Sequence, residues 1–321
     1  MMKIDAVITW VDGNDPVHRD KRRRYAGNGV LSASDKAADT RFTSLGEIFW
    51  CVASLNRYAP WINKIYIVTD EQDPGLEEFI NRYFPESAIP VEVVDHKVIF
   101  RGYTQYLPTF NSISIETMTW RIPGLSDHFI EFNDDLVLMQ PVSPEDFFTE
   151  DGKVILYGSR SSVLWDRFTR LFKGRTAGAR KVTTKESQMN GAMIAGAGLW
   201  YIRPAHCQKA LRRDFYERFY SAHEDLMVRN ISCRFRDAAQ FLSQTLQYMS
   251  LYKQGLCELR PSQKEVFFMQ PKDNDRYFVR KMIQLDEFKG KFACFNSVDM
   301  LTDGQRRQLI EWIENKLNIK L

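Results

Sequence analysis

The chain has 321 residues, of which 44% are hydrophobic and 26% charged, and a formal net charge of +3. This is ordinary globular composition, long enough for one large domain, and the charge is too small to indicate a nucleic-acid binder. The five cysteines, at 51, 207, 233, 257 and 294, form no CxxC pair and no Cys/His cluster at zinc-ligand spacing. Neither a zinc site nor a disulfide framework is therefore expected, and a reducing compartment is the simpler assumption.

Met1-Met-Lys leads straight into Ile4–Val11, so no secretory leader is expected there. No apolar run reaches the roughly 18 residues that span a bilayer. No internal repeat or low-complexity segment is evident. Ile4–Val11 reads as a buried first strand. It ends at Asp12-Gly-Asn-Asp-Pro16, where Gly13 permits a tight turn and Pro16 suits a helix start. An acidic, Gly-containing loop after the first strand is where an open α/β sheet places a ligand; a plain surface turn is the competing account. The basic run Lys21–Arg24 follows, then a loop over Asn28–Thr40 rich in Gly, Ser, Ala and Asp, read as mobile.

Leu45, Ile48, Phe49, Val52 and Leu55 have helical spacing, and Pro60 closes that helix. Lys64–Asp70 reads as a second strand, Leu76–Tyr83 as a helix and Val91–Val94 as a third strand, followed by His96. This β-α-β-α-β order predicts a mainly parallel sheet covered by helices. Asn111 or Ser112 is placed to cap a helix from about Ile113 to Arg121, and a helix start also receives anions.

Phe129–Phe132 then reads as the end of a buried strand that delivers Asn133, Asp134 and Asp135 before the apolar run Leu136–Met139. Two adjacent carboxylates are costly to ionise without a cation or donors nearby. A divalent metal holding a diphosphate fits, as does an Asx-type turn. In a parallel sheet Asp12, Asp70, Asn111 and Asp134 should meet at one edge.

After Val154–Tyr157 the stretch from Ser159 to Thr184 carries Arg160, Arg167, Arg170, Lys173, Arg175, Arg180 and Lys181. It suits an approach to an anionic donor or acceptor, or a solvated surface. Asn190–Ile202 is small and apolar and ends at Arg203-Pro-Ala-His206. Gln208–Glu224 is read as an amphipathic helix. Ser232–Asp237 is read as opening another helix through Tyr252, with Arg234 and Arg236 on one side of the chain if extended and both suited to phosphate oxygens. Lys291–Asn296 reads as a late strand. Asp303–Leu321 is a helix whose apolar stripe packs on the core or, as a minority option, lies on a membrane.

Four blocks together resemble the Stealth family of sugar-1-phosphate transferases, bacterial capsular polysaccharide phosphotransferases to which the animal lysosomal-enzyme N-acetylglucosamine-1-phosphotransferase is similar. They are Ile4–Pro16; a long second block from Arg41 through Tyr58–Trp61, Ile65–Asp70, Val94–His96, Leu107–Ser112 and Pro123–Ser126 to Phe132–Asp135; His206–Arg236; and Ala293–Asn296. Two departures stand out. Pro204 precedes His206 where the family often has His-x-Pro, and Ser297 follows Asn296 where an Asp is common.

The resemblance implies a glycosyltransferase-A-like α/β fold, a mainly parallel sheet flanked by helices with a helical insertion and a C-terminal amphipathic helix. It implies one catalytic domain over 1–321: a nucleotide-sugar core over 1–158, an acceptor-side region over 159–260, and a return strand and helix over 261–321. Asp12, Asp135, His206 and Arg236 map onto catalytic positions. Asp134 and Asp135 map onto the ligands of Mg²⁺ or Mn²⁺. Trp10, Gly13, Asn14, Asp15, Asn111, Ser112, Asn133, Arg234 and Asn296 are expected to line the substrate. The expected reaction takes sugar-1-phosphate from a UDP-sugar to a hydroxyl of an oligosaccharide or polysaccharide acceptor and releases UMP. A conventional glycosyltransferase releasing UDP is the alternative, and a catalytically dead scaffold a third. The implied setting is cytoplasmic, with peripheral association with a capsule-synthesis complex at the inner membrane, and no nucleic-acid partner.

Overall fold

The computed structural model describes residues 2–26, 44–173, 183–272 and 274–321. The loop expected over 28–40, Arg41, and the basic positions Arg175, Arg180 and Lys181 lie outside the described residues, as do the side chains of Arg170 and Lys173.

The strands are β1 (Ile4–Thr9), β2 (Ile65–Thr69), β3 (Val91–Asp95), β4 (His128–Asn133), β5 (Leu136–Leu138), β6 (Val154–Ser162), β7 (Trp200–Pro204), β8 (Lys209–Arg212), β9 (Cys257–Pro261), β10 (Val266–Met269) and β11 (Phe292–Phe295). The main sheet has the order β3-β2-β1-β4-β8. β1, β2, β3 and β4 run parallel, and β8 closes the edge antiparallel to β4. β1 sits in the middle, and all six of its residues are buried. That is why it reads as continuous rather than alternating hydrophobicity. Its one acidic residue, Asp5, accepts from Asn63 Nδ2 and from the Ser126 amide, each at 2.7 Å, so the buried carboxylate is paired.

Two three-stranded sheets complete the fold. One orders β10-β11-β5 and the other β7-β6-β9. A single buried core runs from Ile4 to Ile319 through all three sheets. Its C-terminal part is supplied by the helix Asp303–Leu317, which buries Leu309, Ile313 and Leu317. The stripe anticipated on that helix is therefore core.

Several local expectations are corrected. Lys209–Arg212 is a strand, and the helix begins only at Arg213. The pairing of Glu131 with Lys209 across β4 and β8 gives this stretch a tertiary reason to extend that its own periodicity does not show. The stretch 233–242 is not helical, and the next helix is Ser243–Lys253. The helix expected from Ile113 to Arg121 is one turn, Ser112–Glu116, followed by a 3₁₀ turn at Thr119–Arg121.

Candidate active site

The parallel register decides which residues can meet. Thr9 lies opposite Val68 on one side and Asn133 on the other, and Thr69 lies opposite Asp95. Asp12, Asp70, Asp95 and Asn133–Asp135 therefore leave the sheet along one edge, the carboxyl end where open α/β sheets place ligands.

Four of the expected residues line one pocket beyond this edge. Asn133 comes from the end of β4. Ser112 starts a short helix, His206 sits in the turn between β7 and β8, and Arg236 comes from the loop before Ser243–Lys253; Glu116, Gln188 and Lys209 complete much of the wall. Its volume is about 90 Å³. A cleft that swallows a whole ligand holds roughly 300 Å³ or more, so this one suits a reacting group. Arg236 Nη2 donates to Ser112 Oγ at 2.8 Å, which aims the guanidinium along the pocket wall.

Asp135 lies beside it. Asn296 Nδ2 and Cys294 Sγ donate to its Oδ2 at 3.3 and 3.4 Å, while its Oδ1 is buried without a hydrogen-bond partner. The His206 ring stands edge-on to Phe268, centroids 5.5 Å apart. Burial lowers the His206 pKa, and the Lys209 and Arg236 cations add to this against the pull of Asp135 and Glu116. Although His206 is exposed at the surface, these surroundings favour its neutral form, which carries a lone pair.

Around the same turn the acids crowd. Burial pushes Asp134 well above the usual carboxylate range, and the Asp135 and Glu47 carboxylates add to the push. Glu47 is raised by burial, with Asp135 and Asp299 contributing, and Asp299 is raised by burial. An orphaned oxygen on Asp135 amid mutually repelling carboxyls is an environment in which a divalent cation is welcome. Oxygen donors from Asp134 and Asp135 fit Mg²⁺ or Mn²⁺ chemically.

Behind the pocket lies a buried polar network. Gln244 Nε2 donates to Glu116 Oε2 at 2.7 Å and also to Glu131 Oε1, while Lys209 Nζ stands 3.6 Å from Glu131. Burial works against the Lys209 charge, yet Glu131 and Glu116 hold its ammonium above the usual range. The pocket wall therefore carries two cations, Lys209 and Arg236.

Other expected residues go elsewhere. Asn111 is fully buried; its Nδ2 donates to Cys233 O and Gln240 Oε1, and its Oδ1 accepts from the Ile113 amide. It caps the short helix that begins at Ser112 and is not among the residues that line the pocket. Arg234 is not brought to the pocket: it donates to the carbonyls of Pro108, Gln105 and Leu107 and lies over the Tyr25 ring. Trp10 is 7% exposed, with its indole N–H on Ser44 Oγ.

The loop after β1 is knitted by Gln72, which donates to Asp12 O and Asp15 Oδ2 and accepts from the Asp12 amide. Asp12 Oδ1 accepts from the Asn14 amide and Asp15 Oδ1 from those of Val17 and His18, which caps the helix Pro16–Ala26. Gly13 is buried in this turn, and Asn14 donates to Ser44 O. Asp12 shares the sheet edge with Asp134 but is not among the residues that line the pocket with His206.

Lys21 pairs with Asp70 and Glu71, each at 2.9 Å. It helps line a second, larger cavity of about 600 Å³ with Arg24, Tyr25, Lys97, Leu107 and Pro108. His96 is buried, its pKa pushed down to about 4 by burial, and lines neither cavity.

The sequence reading missed Glu47, Gln72, Glu116, Lys209 and Cys294. The first four look like surface or helix-face polar residues, and only the long-range pairing of β4 with β8 would have flagged Lys209. Cys294 stood in a recognised block, but its partners are distant in sequence.

The architecture and site define an α/β protein with an acidic and cationic cleft at the carboxyl edge of a parallel sheet. Residues 2–30 match Stealth protein CR1, conserved region 1, and residues 41–156 match Stealth protein CR2, conserved region 2. Two stretches of the chain are thus similar to regions conserved in Stealth proteins.

It is 39% identical over 168 residues to capsular polysaccharide phosphotransferase WcwK of Streptococcus pneumoniae, covering 52% of this chain and 48% of that protein. It is 38% identical over 159 residues to capsular polysaccharide phosphotransferase LcbA of Neisseria meningitidis, covering 48% and 40%. The exopolysaccharide phosphotransferase SCO6021 of Streptomyces coelicolor is 41% identical over 160 residues, covering 50% and 28%. The matches thus span less than half the length of these relatives.

Among solved structures, the galactosyltransferase LgtC with donor and acceptor sugar analogs aligns at TM-score 0.43 and 12% identity, over 91% of this chain and 86% of that one. Mouse xyloside xylosyltransferase 1 in its apo form aligns at TM-score 0.43 and 11% identity, over 92% and 98%. No helix among the described residues is long and apolar enough to cross a membrane.

Proposed function

We propose that this chain transfers sugar-1-phosphate from a UDP-sugar to a hydroxyl of a glycan acceptor, forming a phosphodiester and releasing UMP. The observation that carries the reading is one small pocket lined together by His206 and two cationic side chains, Arg236 and Lys209, beside the partnerless oxygen of Asp135. Phosphoryl transfer asks for this set: positioning, charge stabilisation and a proton acceptor.

In the proposed reaction the acceptor hydroxyl attacks the β-phosphorus in line. His206 takes the hydroxyl proton, for which its lone pair is available. Arg236, braced on Ser112, and Lys209 neutralise the phosphoryl oxygens as the bond to the leaving UMP breaks. Asp134 and Asp135 would hold a divalent cation, held in turn by Asn296 through Asp135; when bound, it supplies charge neutralisation of the diphosphate. No bond to carbon breaks, so the sugar's anomeric configuration is retained.

The pocket of about 90 Å³ suits the transferred phosphoryl, and the cavity of about 600 Å³ beside Asp70 has room for the nucleoside. The loop from Leu107 to Ser112 borders both. The relatives' names, capsular and exopolysaccharide phosphotransferases, support a polysaccharide acceptor. We place the enzyme at the cytoplasmic face of the membrane that carries the growing glycan.

The test is incubation with a panel of UDP-sugars, a glycan acceptor and Mg²⁺, read by phosphorus NMR and nucleotide analysis. A diester signal with UMP is expected. UDP as the nucleotide product would refute phosphate transfer in favour of attack at the anomeric carbon.

A further inference from the structure

Cys294 takes no part in the chemistry above, yet it stands at its centre. It is the third residue of β11, fully buried, and lies opposite Leu136 of β5. That register brings its Sγ to 3.4 Å from Asp135 Oδ2. His206 approaches from the turn between β7 and β8. One ligand atom from each of Asp135, His206 and Cys294 lies within 4.8 Å of the other two. Asp135 Oδ1 is buried and has no hydrogen-bond partner.

A carboxylate oxygen, an imidazole nitrogen and a thiol sulfur form a donor set foreign to Mg²⁺, which prefers oxygen ligands and octahedral geometry. It suits zinc, which accepts all three and often takes three protein ligands with a fourth position open. Tetrahedral bonds of about 2.0–2.3 Å place such ligands roughly 3.3–3.7 Å apart. Closing from 4.8 Å needs about an ångström, and His206, an exposed residue, has room for that movement.

We propose that Asp135, His206 and Cys294 bind a thiophilic divalent cation of the zinc class, and that its binding switches transfer off by occupying the proton acceptor and a ligand of the hard cation. As the sulfur–metal bond forms, the Cys294 proton leaves to solvent. The binding stands on the three side chains alone; the switching rests on the function proposed above.

The full chain, free of substrate, is titrated with Co²⁺, whose bond to thiolate gives a near-ultraviolet charge-transfer band. The band is expected in the wild type and in Cys207→Ser, whose buried thiol lies outside the cluster. It is expected to vanish in Cys294→Ser and to bleach when Zn²⁺ is added. Should Cys294→Ser not fold, His206→Ala serves instead, with at least a tenfold weaker Co²⁺ affinity expected. No band in the wild type, a band persisting in folded Cys294→Ser, or unaltered affinity in His206→Ala overturns the site. In a separate arm, wild-type turnover with Mg²⁺ should fall as Zn²⁺ is added and return with a chelator. Turnover insensitive to Zn²⁺ overturns the switching, whereas no turnover with any UDP-sugar refutes the proposed function and leaves the Co²⁺ result to decide the site.

Discussion

Glu131 offers a quantitative check on the network behind the pocket. It is 1% exposed in β4. Burial, and then the Glu116 carboxylate, raise its pKa from 4.5 to about 7 against the pull of Lys209 and Gln244. Between those values the folded chain keeps a proton that the unfolded chain has released. Stability therefore falls as pH rises, by about 1.4 kcal/mol per unit, and is lost up to the folded value. Across the window from 4.5 to about 7 the loss is roughly 3 kcal/mol. Glu131→Gln keeps the shape and stays neutral, so this contribution disappears.

Urea denaturation of both proteins at pH 5, 6, 7 and 8 should show the variant gaining on the wild type by about 2–3 kcal/mol from pH 5 to pH 7 and no further beyond pH 8. Parallel curves would mean that Glu131 is ionised throughout. Lys209 would then be spent on a buried ion pair, and its role facing the phosphoryl group would have to be withdrawn.

The two arginines of the third block should separate cleanly. Arg236→Lys is expected to lower kcat/KM by about 100-fold or more with unchanged circular dichroism. Arg234→Ala should instead cost about 1–3 kcal/mol of stability, because three carbonyls lose their donor, while turnover per folded molecule persists. The acid limb of the kcat/KM profile should lie below pH 6.5, since burial lowers the His206 pKa and the neutral ring is the active form. Activity should rise with pH through that limb, and His206→Ala should abolish turnover; an acid limb at or above 6.5 would contradict the assignment. Asn296→Ala leaves Cys294 Sγ as the donor to Asp135 Oδ2 and should weaken Mg²⁺ activation about 10-fold or more, measured as the Mg²⁺ concentration for half-maximal turnover. Removing the cation with a chelator should stop transfer in the wild type.

How much of this was legible in the sequence follows from the range of the forces involved. β1 and β2 announce themselves because both faces are covered, so their apolar residues run on with little alternation. The polar residues at their ends then had to share an edge, given parallel pairing. The reading failed where the deciding contact is distant. Lys209–Arg212 carries helix-compatible spacing, and only the cross-strand partner Glu131 makes it extended. Arg234 and Arg236 look equivalent in sequence, yet one is consumed by the carbonyls of residues 105–108 and the other is braced on Ser112. The cysteine spacing holds no local zinc motif, and a cluster assembled from β11, the β4–β5 turn and the β7–β8 turn leaves no spacing to read.

The turn between β4 and β5 has a consequence for how this protein tolerates change. Only Asp134 and Asp135 separate the end of a strand in the main sheet from the start of one in a second sheet. Because side chains alternate between faces, one residue added or removed there would turn Leu136–Leu138 inside out. The same error would carry Asp135 away from Asn296. The chain cannot vary its length at this joint without losing both its packing and its acid at once, so swaps of segments between relatives should be cut elsewhere.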